Sequence, residues 1–509
     1  MKEKFTEQIV KEYSFQGESL VLGCGMYDKE LIQKAIVRLP LKTMNRHGLI
    51  AGATGTGKTK SLQLLAEQLS NKSVPCVLLD IKGDLSGIAE EGVMNSKISE
   101  RQSALNLPWT PTSNFVELFS ISDERGTRLR ATVSEFGPVL LSKILGLNDT
   151  QESVISLVFK YCDDRKLLLL DLEDLKSVLQ YITNAGKEEI EMNFGSVSSA
   201  SVGTIFRKVI ELEQQGAAQF FGEKSFDVHD LLRFDDQGRG VISIMRATDI
   251  QDRPKFFSTF LLQLLAELYA QFPELGDVDK PKLCFFIDEA HLLFEESNSA
   301  LVNQLETIIK LIRSKGIGVF FITQNPVDVP DSILAQLGMK IQHALRAFTA
   351  KDRKSIKLAA ENYPETEYYS VESLITELGI GEALVTVLNE RGIPSSLVHT
   401  MMQAPQSRMD ILTADEMDSI VKHSKLASIY NEEINRESAF EILQKRFEKQ
   451  EEKEPTPTHT RPIKEEISTV EKVMNSPITK QVGRTVAREL TRGLLGVFGI
   501  KTGRGKTWF

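Results

Sequence analysis

The run GATGTGKT, Gly52 to Thr59, sets glycines, a lysine and a hydroxyl residue at the spacing that holds a triphosphate. It fits G-x-x-x-x-G-K-S/T at every specified position and adds a glycine at Gly55. Backbone N–H groups must curl around phosphate oxygens, and a Cβ at Gly52, Gly55 or Gly57 would obstruct that turn. Ala53, Thr54 and Thr56 fill the rest of the loop. Lys58 is then in reach of the β- and γ-phosphates, and the Thr59 hydroxyl is placed to hold Mg²⁺. An apolar strand from His47 leads in, and SLQLLAEQL follows with Leu62, Leu65 and Leu69 as a helix whose positive N-terminus faces the phosphates. Strand, glycine loop and helix in that order predict nucleotide binding over a bland glycine turn.

A nucleotide hydrolase needs acid at the tip of a second strand, and LCFFIDEAH provides it. Asp288 is placed to hold Mg²⁺ through water, and Glu289 to accept a proton from the attacking water. The plain alternative, a buried strand ending in an acidic turn, is the weaker reading beside the phosphate loop. Gln324 in FITQNP ends another apolar strand, where it senses the γ-phosphate or orients water, or else caps a loop. Arg346 ends the apolar part of KIQHALRAF and faces either nucleotide or solvent. Arg313 lies late on a helix with the apolar stripe Leu305, Ile308, Ile309 and Ile312, near the edge of that face. It reaches into a neighbouring subunit as an arginine finger, or sits in solvent where the helix dipole favours it. DIKGDLSG, Asp80 to Gly87, carries Lys82 and Asp84 toward the same sheet edge, open to nucleotide, metal or a polymer substrate.

Positioning these groups takes a parallel sheet. Continuous apolar runs recur at Val74–Asp80, Gly240–Ala247, Lys282–His291, Gly316–Gln324, Lys340–Phe348 and Glu382–Leu388, with helical patterns between the earlier ones. That alternation predicts a doubly wound α/β domain with ligands at the carboxyl ends of its strands. The expected organisation is a lead-in (1–42), a nucleotide-binding core (43–405) with a mainly helical insertion at about 100–235, a helical extension (406–445), a charged linker (446–475) and a basic amphipathic tail (476–509). In the tail Arg484, Arg488 and Arg492 share one helix face. Such a segment grips phosphates, rests on an anionic membrane, or docks on a partner with its basic face solvated. GRGKT near the end lacks the first glycine of a phosphate loop, since Ile500 stands there.

The 509 residues are 41% hydrophobic and 26% charged, ordinary for a globular chain, and the net charge of −9 confines any nucleic-acid contact to a local patch or an assembled channel. Cys24, Cys76, Cys162 and Cys284 lie far apart without a C-x-x-C pair, which disfavours zinc and disulfides and fits a reducing cytoplasm. No signal-peptide h-region and no span of about 20 apolar residues is found.

With these residues in view the chain resembles the HerA/FtsK class of P-loop ATPases, and within it the HerA-like bacterial family typified by YjgR. The resemblance is carried by Asn45–Thr59, DIKGDLSG, Ser134–Asn148, Phe220–Leu231, FIDEAHLLF, Gln342–Lys354 and Leu378–Pro394, most of the chain up to about Pro405. It implies a RecA-like fold assembled into a hexameric ring with ATP sites between subunits. It further implies that Lys58 and Thr59 bind phosphate and Mg²⁺, that Asp288 and Glu289 form the Walker B pair, and that Gln324 is the polar sensor. Arg313, 24 residues after Glu289, stands where the family places its trans-acting arginine. HerA relatives pump or unwind DNA through the ring, often beside a nuclease. HerA proper opens with a β-barrel of many tens of residues, which a lead-in of about 40 residues cannot hold. The expected function is therefore a cytoplasmic, Mg²⁺-dependent ATPase acting as a ring-forming DNA translocase or helicase-like motor. A protein-directed motor and a nucleotide-gated scaffold are the rivals.

Overall fold

Twelve strands hydrogen-bond into one sheet in the computed structural model, which describes residues 1–451 apart from 277, 295–298, 433 and 435. They are β1 (Ser19–Tyr27), β2 (Glu30–Pro40), β3 (Gly48–Ala51), β4 (Cys76–Asp80), β5 (Val116–Ser120), β6 (Thr127–Arg128), β7 (Ile242–Arg246), β8 (Leu283–Ile287), β9 (Ile317–Thr323), β10 (Met339–Gln342), β11 (Glu382–Thr386) and β12 (Val398–Met402). The spatial order is β2-β1-β12-β11-β10-β3-β9-β8-β4-β7-β5-β6. From β10 through β6 all neighbours are parallel, while β11, β12, β1 and β2 extend the sheet antiparallel. This is the doubly wound arrangement that the strand–helix alternation predicts, in the RecA-like form that the family resemblance implies. The tail from 480 onward and the linker beyond 451 lie outside the described residues.

The apolar runs are continuous because both faces of the sheet are covered. Successive residues alternate between two cores: Val77, Leu79, Phe285 and Ile287 point into one, Cys76, Leu78, Cys284 and Phe286 into the other. The first core also takes the helices Pro254–Gln271 and Ser299–Ile312 and the helical insertion. The second takes the helices Lys2–Glu12, Lys58–Asn71 and Ala414–His423. Across the second core the Phe286 and Phe320 rings stack with centroids 4.8 Å apart.

The lead-in is a helix and a hairpin. Phe5, Ile9 and Tyr13 are buried against the sheet, and the Tyr13 hydroxyl donates to Ser396 O (2.8 Å) while accepting from Ser395 Oγ (2.8 Å). Within the span read as helical, two strands join the sheet before the five helices between Val133 and Gln214 begin. Strand β5 escapes the apolar-run criterion because Glu117 interrupts it. That carboxylate is buried but paired with Arg233 and accepts from Ser424 Oγ. Likewise β10 ends at Gln342 rather than continuing to Phe348, and the chain turns out beside the phosphate loop.

After β12 the chain crosses the helix Lys58–Asn71 as an extended strap. Glu67 accepts from Gln406 N (2.8 Å), Ser407 N (3.1 Å) and Ser407 Oγ (2.7 Å), and Gln63 Nε2 donates to Arg408 O (2.9 Å). The strap then meets the DIKGDLSG segment, where Leu412 N donates to Ser86 Oγ (3.0 Å). A Cβ on Gly87 would fall 1.7 Å from Asp410 O, so only glycine admits this crossing.

Candidate nucleotide site at the carboxyl edge of the sheet

Strands β3, β4, β8, β9 and β10 run parallel and end at one edge, and every phosphate-reading residue except Arg313 leaves from there. The loop after β3 is fixed on both sides. Gly52 N donates to Thr323 O (3.2 Å), Ala53 N to Ala344 O (2.7 Å) and Gly381 N to Thr56 O (3.0 Å). Gly52 holds φ +154°, and a Cβ there would meet His343 Cβ at 2.5 Å. Gly57, at φ +121°, opens the helix with no side chain capping its N-terminus, so the first-turn N–H groups are free for an anion. Thr54 and Gly55 lie at the loop tip, where a Cβ on Gly55 would meet nothing within 4 Å.

Lys58 is buried and folds its ammonium onto Gly52 O (2.6 Å) and Ala53 O (3.2 Å). Burial, then the Lys82 charge, lowers its pKa. Thr59 Oγ1 donates to Asp84 Oδ2 (3.3 Å). Asp84 Oδ1 and Asp288 Oδ2 are buried acceptors with no hydrogen-bond partner. Beside the Thr59 hydroxyl they fit a hard, oxygen-seeking cation. Among the described residues no three acidic, His or Cys side chains converge to hold a metal alone. Such a cation would therefore draw its remaining ligands from phosphate and water, as Mg²⁺ does.

Asp288 and Glu289 take opposite characters. Burial, reinforced by the Glu289 charge, pushes the Asp288 carboxyl up to about 7. Glu289 is also buried, but its ion pair with Lys82, the amide of Gln324 and the charge of His291 more than offset that burial and lower its pKa. Gln324 Nε2 donates to Glu289 Oε2 at 3.3 Å, and His291 Nδ1 lies 3.1 Å from the same oxygen. Glu289 sits in the left-handed region, φ 47° and ψ 46°. The loop carrying Lys82 is held by Asp80, fully buried, which accepts from the N–H groups of Gly83 (2.7 Å), Asp84 (3.2 Å) and Leu85 (3.2 Å).

Two histidines support the site: His343 packs behind the phosphate loop and His47 stands below β3. His343 donates from Nδ1 to Glu382 O (2.8 Å), which leaves Nε2 to accept from Ser61 Oγ (2.9 Å) on the phosphate-loop helix. Burial drives its pKa down to about 4, so it is neutral. His47 donates from Nε2 to Ile309 O (2.8 Å) and accepts Val319 N–H at Nδ1 (3.0 Å), tying β3 to the helix Ser299–Ile312. Arg101 closes the far side of the loop by donating to Ile380 O (2.8 Å), Gly381 O (3.1 Å) and Met402 O (3.0 Å).

Thus Lys58, Thr59, Asp288, Glu289 and Gln324 meet at one edge, joined by Lys82 and Asp84. Arg313 does not join them. It is exposed just before β9, at the amino edge, about 20 Å from Gln324 along that strand. Arg346 leaves the carboxyl edge but is exposed and donates to Thr376 O (2.9 Å).

The family described as helicase HerA-like C-terminal matches residues 27–503. The chain belongs to that family. It is accordingly a P-loop ATPase of the HerA-like class. It is 24% identical over 389 residues to the probable DNA double-strand break repair helicase HerA of Methanocaldococcus jannaschii, covering 71% of this chain and 73% of that protein. It is 26% identical over 404 residues to the DNA import protein CedB of Sulfolobus acidocaldarius, covering 76% of this chain but only 57% of CedB. The fold is also that of the plasmid coupling protein TrwB solved with a non-hydrolysable ATP analogue. The match has a TM-score of 0.53 and 14% identity, over 80% of this chain and 95% of that one. Among the described residues no helix is long and apolar enough to cross a membrane.

Proposed function

We propose that the protein is a Mg²⁺-dependent ATP hydrolase that works as a ring-forming DNA translocase in the cytoplasm. The observation that carries the hydrolase reading is the Glu289 carboxylate, buried at the tip of β8 and bonded to the Gln324 amide across from Lys58 and Thr59. In this reading Gly52–Thr59 cradles the triphosphate, with Ala53, Thr54, Gly55 and Thr56 presenting backbone and Lys58 moving off the loop carbonyls onto phosphate oxygens. Thr59 and Asp288 would hold Mg²⁺, which when bound neutralises charge on the β- and γ-phosphates. Gln324 orients the attacking water and Glu289 takes its proton.

Arg313 leaves the amino edge of the sheet, too far from its own subunit's phosphates to act on them, so in this reading it acts at a neighbour's site in a hexameric ring, where it stabilises charge on the transferring phosphoryl group.

 The exposed edge beyond β10 supports DNA as the cargo. There Arg346, Phe348, Lys351, Arg353 and Lys354 all face solvent. Asp352, the one acid among them, is engaged in accepting the N–H groups of Phe348 (3.0 Å) and Thr349 (2.8 Å). Cations around an exposed aromatic ring suit a phosphate backbone with unstacked bases. The basic tail, Lys480 to Phe509, would add a second grip. The test is ATP turnover by the purified protein, with Lys58→Ala as the blank. DNA-stimulated turnover that Glu289→Gln abolishes supports the reading, and wild-type turnover by Glu289→Gln overturns it.

A further inference from the structure

The DIKGDLSG segment brings a second lysine to the phosphate edge. Lys82 leaves the carboxyl end of β4 and ion-pairs with Glu289. Its side chain is 34% exposed, whereas that of Glu289 is 5% exposed, so the ammonium reaches inward from the rim onto a buried carboxylate. The backbone beneath it is rigid, because Asp80 accepts three consecutive N–H groups from Gly83 to Leu85. What remains mobile is the four-carbon stem of Lys82 itself. Through Glu289, which also accepts from Gln324 Nε2, its ammonium stands at the edge where a γ-phosphate would lie.

We propose that Lys82 is a second phosphate-binding cation, parked on Glu289 when no nucleotide is present and transferred to the γ-phosphate when ATP binds. This rests on the ATP-binding reading above. The local charges favour the transfer. Without nucleotide, Lys58 and Lys82 face three carboxyl groups, Asp84, Asp288 and Glu289. A triphosphate brings several negative charges into that space, and a γ-phosphate attracts an ammonium more strongly than one carboxylate does. As Lys82 leaves, Glu289 is released to act as a base at the moment its substrate arrives. ADP has no γ-phosphate and leaves Lys82 where it was. The residue therefore distinguishes ATP from ADP and links that distinction to the state of the catalytic carboxylate.

The test is equilibrium binding of ADP and of a non-hydrolysable ATP analogue to the full chain, for wild type, Lys82→Met, Lys82→Arg and Lys58→Ala. Melting curves establish that each variant is folded. Lys82→Met should lose roughly ten- to a hundredfold in affinity for the ATP analogue, the scale of one charge-assisted hydrogen bond, with ADP affinity changed less than about threefold. Lys82→Arg should restore most of the preference for the ATP analogue. An unchanged ratio of the two affinities in Lys82→Met, with Lys58→Ala weakening both ligands, overturns the role of Lys82 and leaves the ATP-binding reading intact. Failure of the wild type to bind either nucleotide overturns that underlying reading instead.

Discussion

Replacing Glu67 by alanine should loosen the strap over the phosphate-loop helix. Glu67 is 1% exposed and satisfies three donors on the strap, two backbone N–H groups and the Ser407 hydroxyl. Truncation leaves those donors without their acceptor, at about 1–3 kcal/mol for each that water cannot reach. One term works the other way: burial raises the Glu67 carboxyl to about 7, so the wild-type site already bears a cost for its charge at neutral pH. A net loss of about 3 kcal/mol follows if water satisfies one donor of the three. With an unfolding entropy of about 2 cal/mol/K per residue over roughly 450 residues, the melting midpoint falls by about 3 °C. Nucleotide affinity should fall with it, since Gln63 and Glu67 share the helix that carries Lys58 and Thr59. The assay is a melting curve paired with titration of a fluorescent ADP. A midpoint within about half a degree of wild type, with unchanged ADP affinity, would refute the assignment of the strap as a support for the loop.

Other outcomes follow from the same geometry. Lys58→Ala should abolish ATP turnover, while Glu289→Gln should bind ATP and lower turnover by about 10²–10⁴-fold, read by steady-state kinetics beside nucleotide titration. Arg313→Ala subunits, inactive alone, should regain part of their activity when mixed with Lys58→Ala subunits; verified mixed assemblies without any rescue would count against a trans role. Glu267 is raised to about 8 from 4.5 by burial and by the charges of Glu135 and Asp227. The folded state therefore holds its proton more tightly than the unfolded chain, a contribution that is complete below about pH 4.5 and lost as pH rises through about 8. The melting midpoint should accordingly drop less between pH 6 and pH 9 in Glu267→Gln than in wild type, read by melting curves at both pH values.

The groups legible in the sequence are those whose chemistry is tied to local spacing. Gly52 through Thr59 can be read because a phosphate cradle, a cation and a helix start must be contiguous. Asp288 and Glu289 can be read because they end an apolar run, and the parallel sheet follows from that run and its counterparts. The supporting contacts have no such signature. Glu67 meets Ser407 across 340 residues, and Ser61 meets His343 across 282. Each is an ordinary polar residue with no local spacing to mark it, indistinguishable in sequence from a solvated one. His291 and Arg101 belong to the same class, since only the folded chain brings them to Glu289 and to the Gly381 turn. Lys82 lay between: its motif marks the sheet edge, but its pairing with Glu289 depends on β4 and β8 being neighbours. Strand β5 was hidden by one buried, paired carboxylate, Glu117.

The most direct measurement of the central claim is steady-state ATP hydrolysis with and without double- and single-stranded DNA across a salt series, against the Lys58→Ala blank. A DNA-stimulated, Mg²⁺-dependent turnover whose stimulation fades as salt rises is the predicted result, because a motor gripping phosphates releases counterions as it binds. Turnover that ignores both DNA forms at every salt concentration would contradict the assignment of DNA as the cargo.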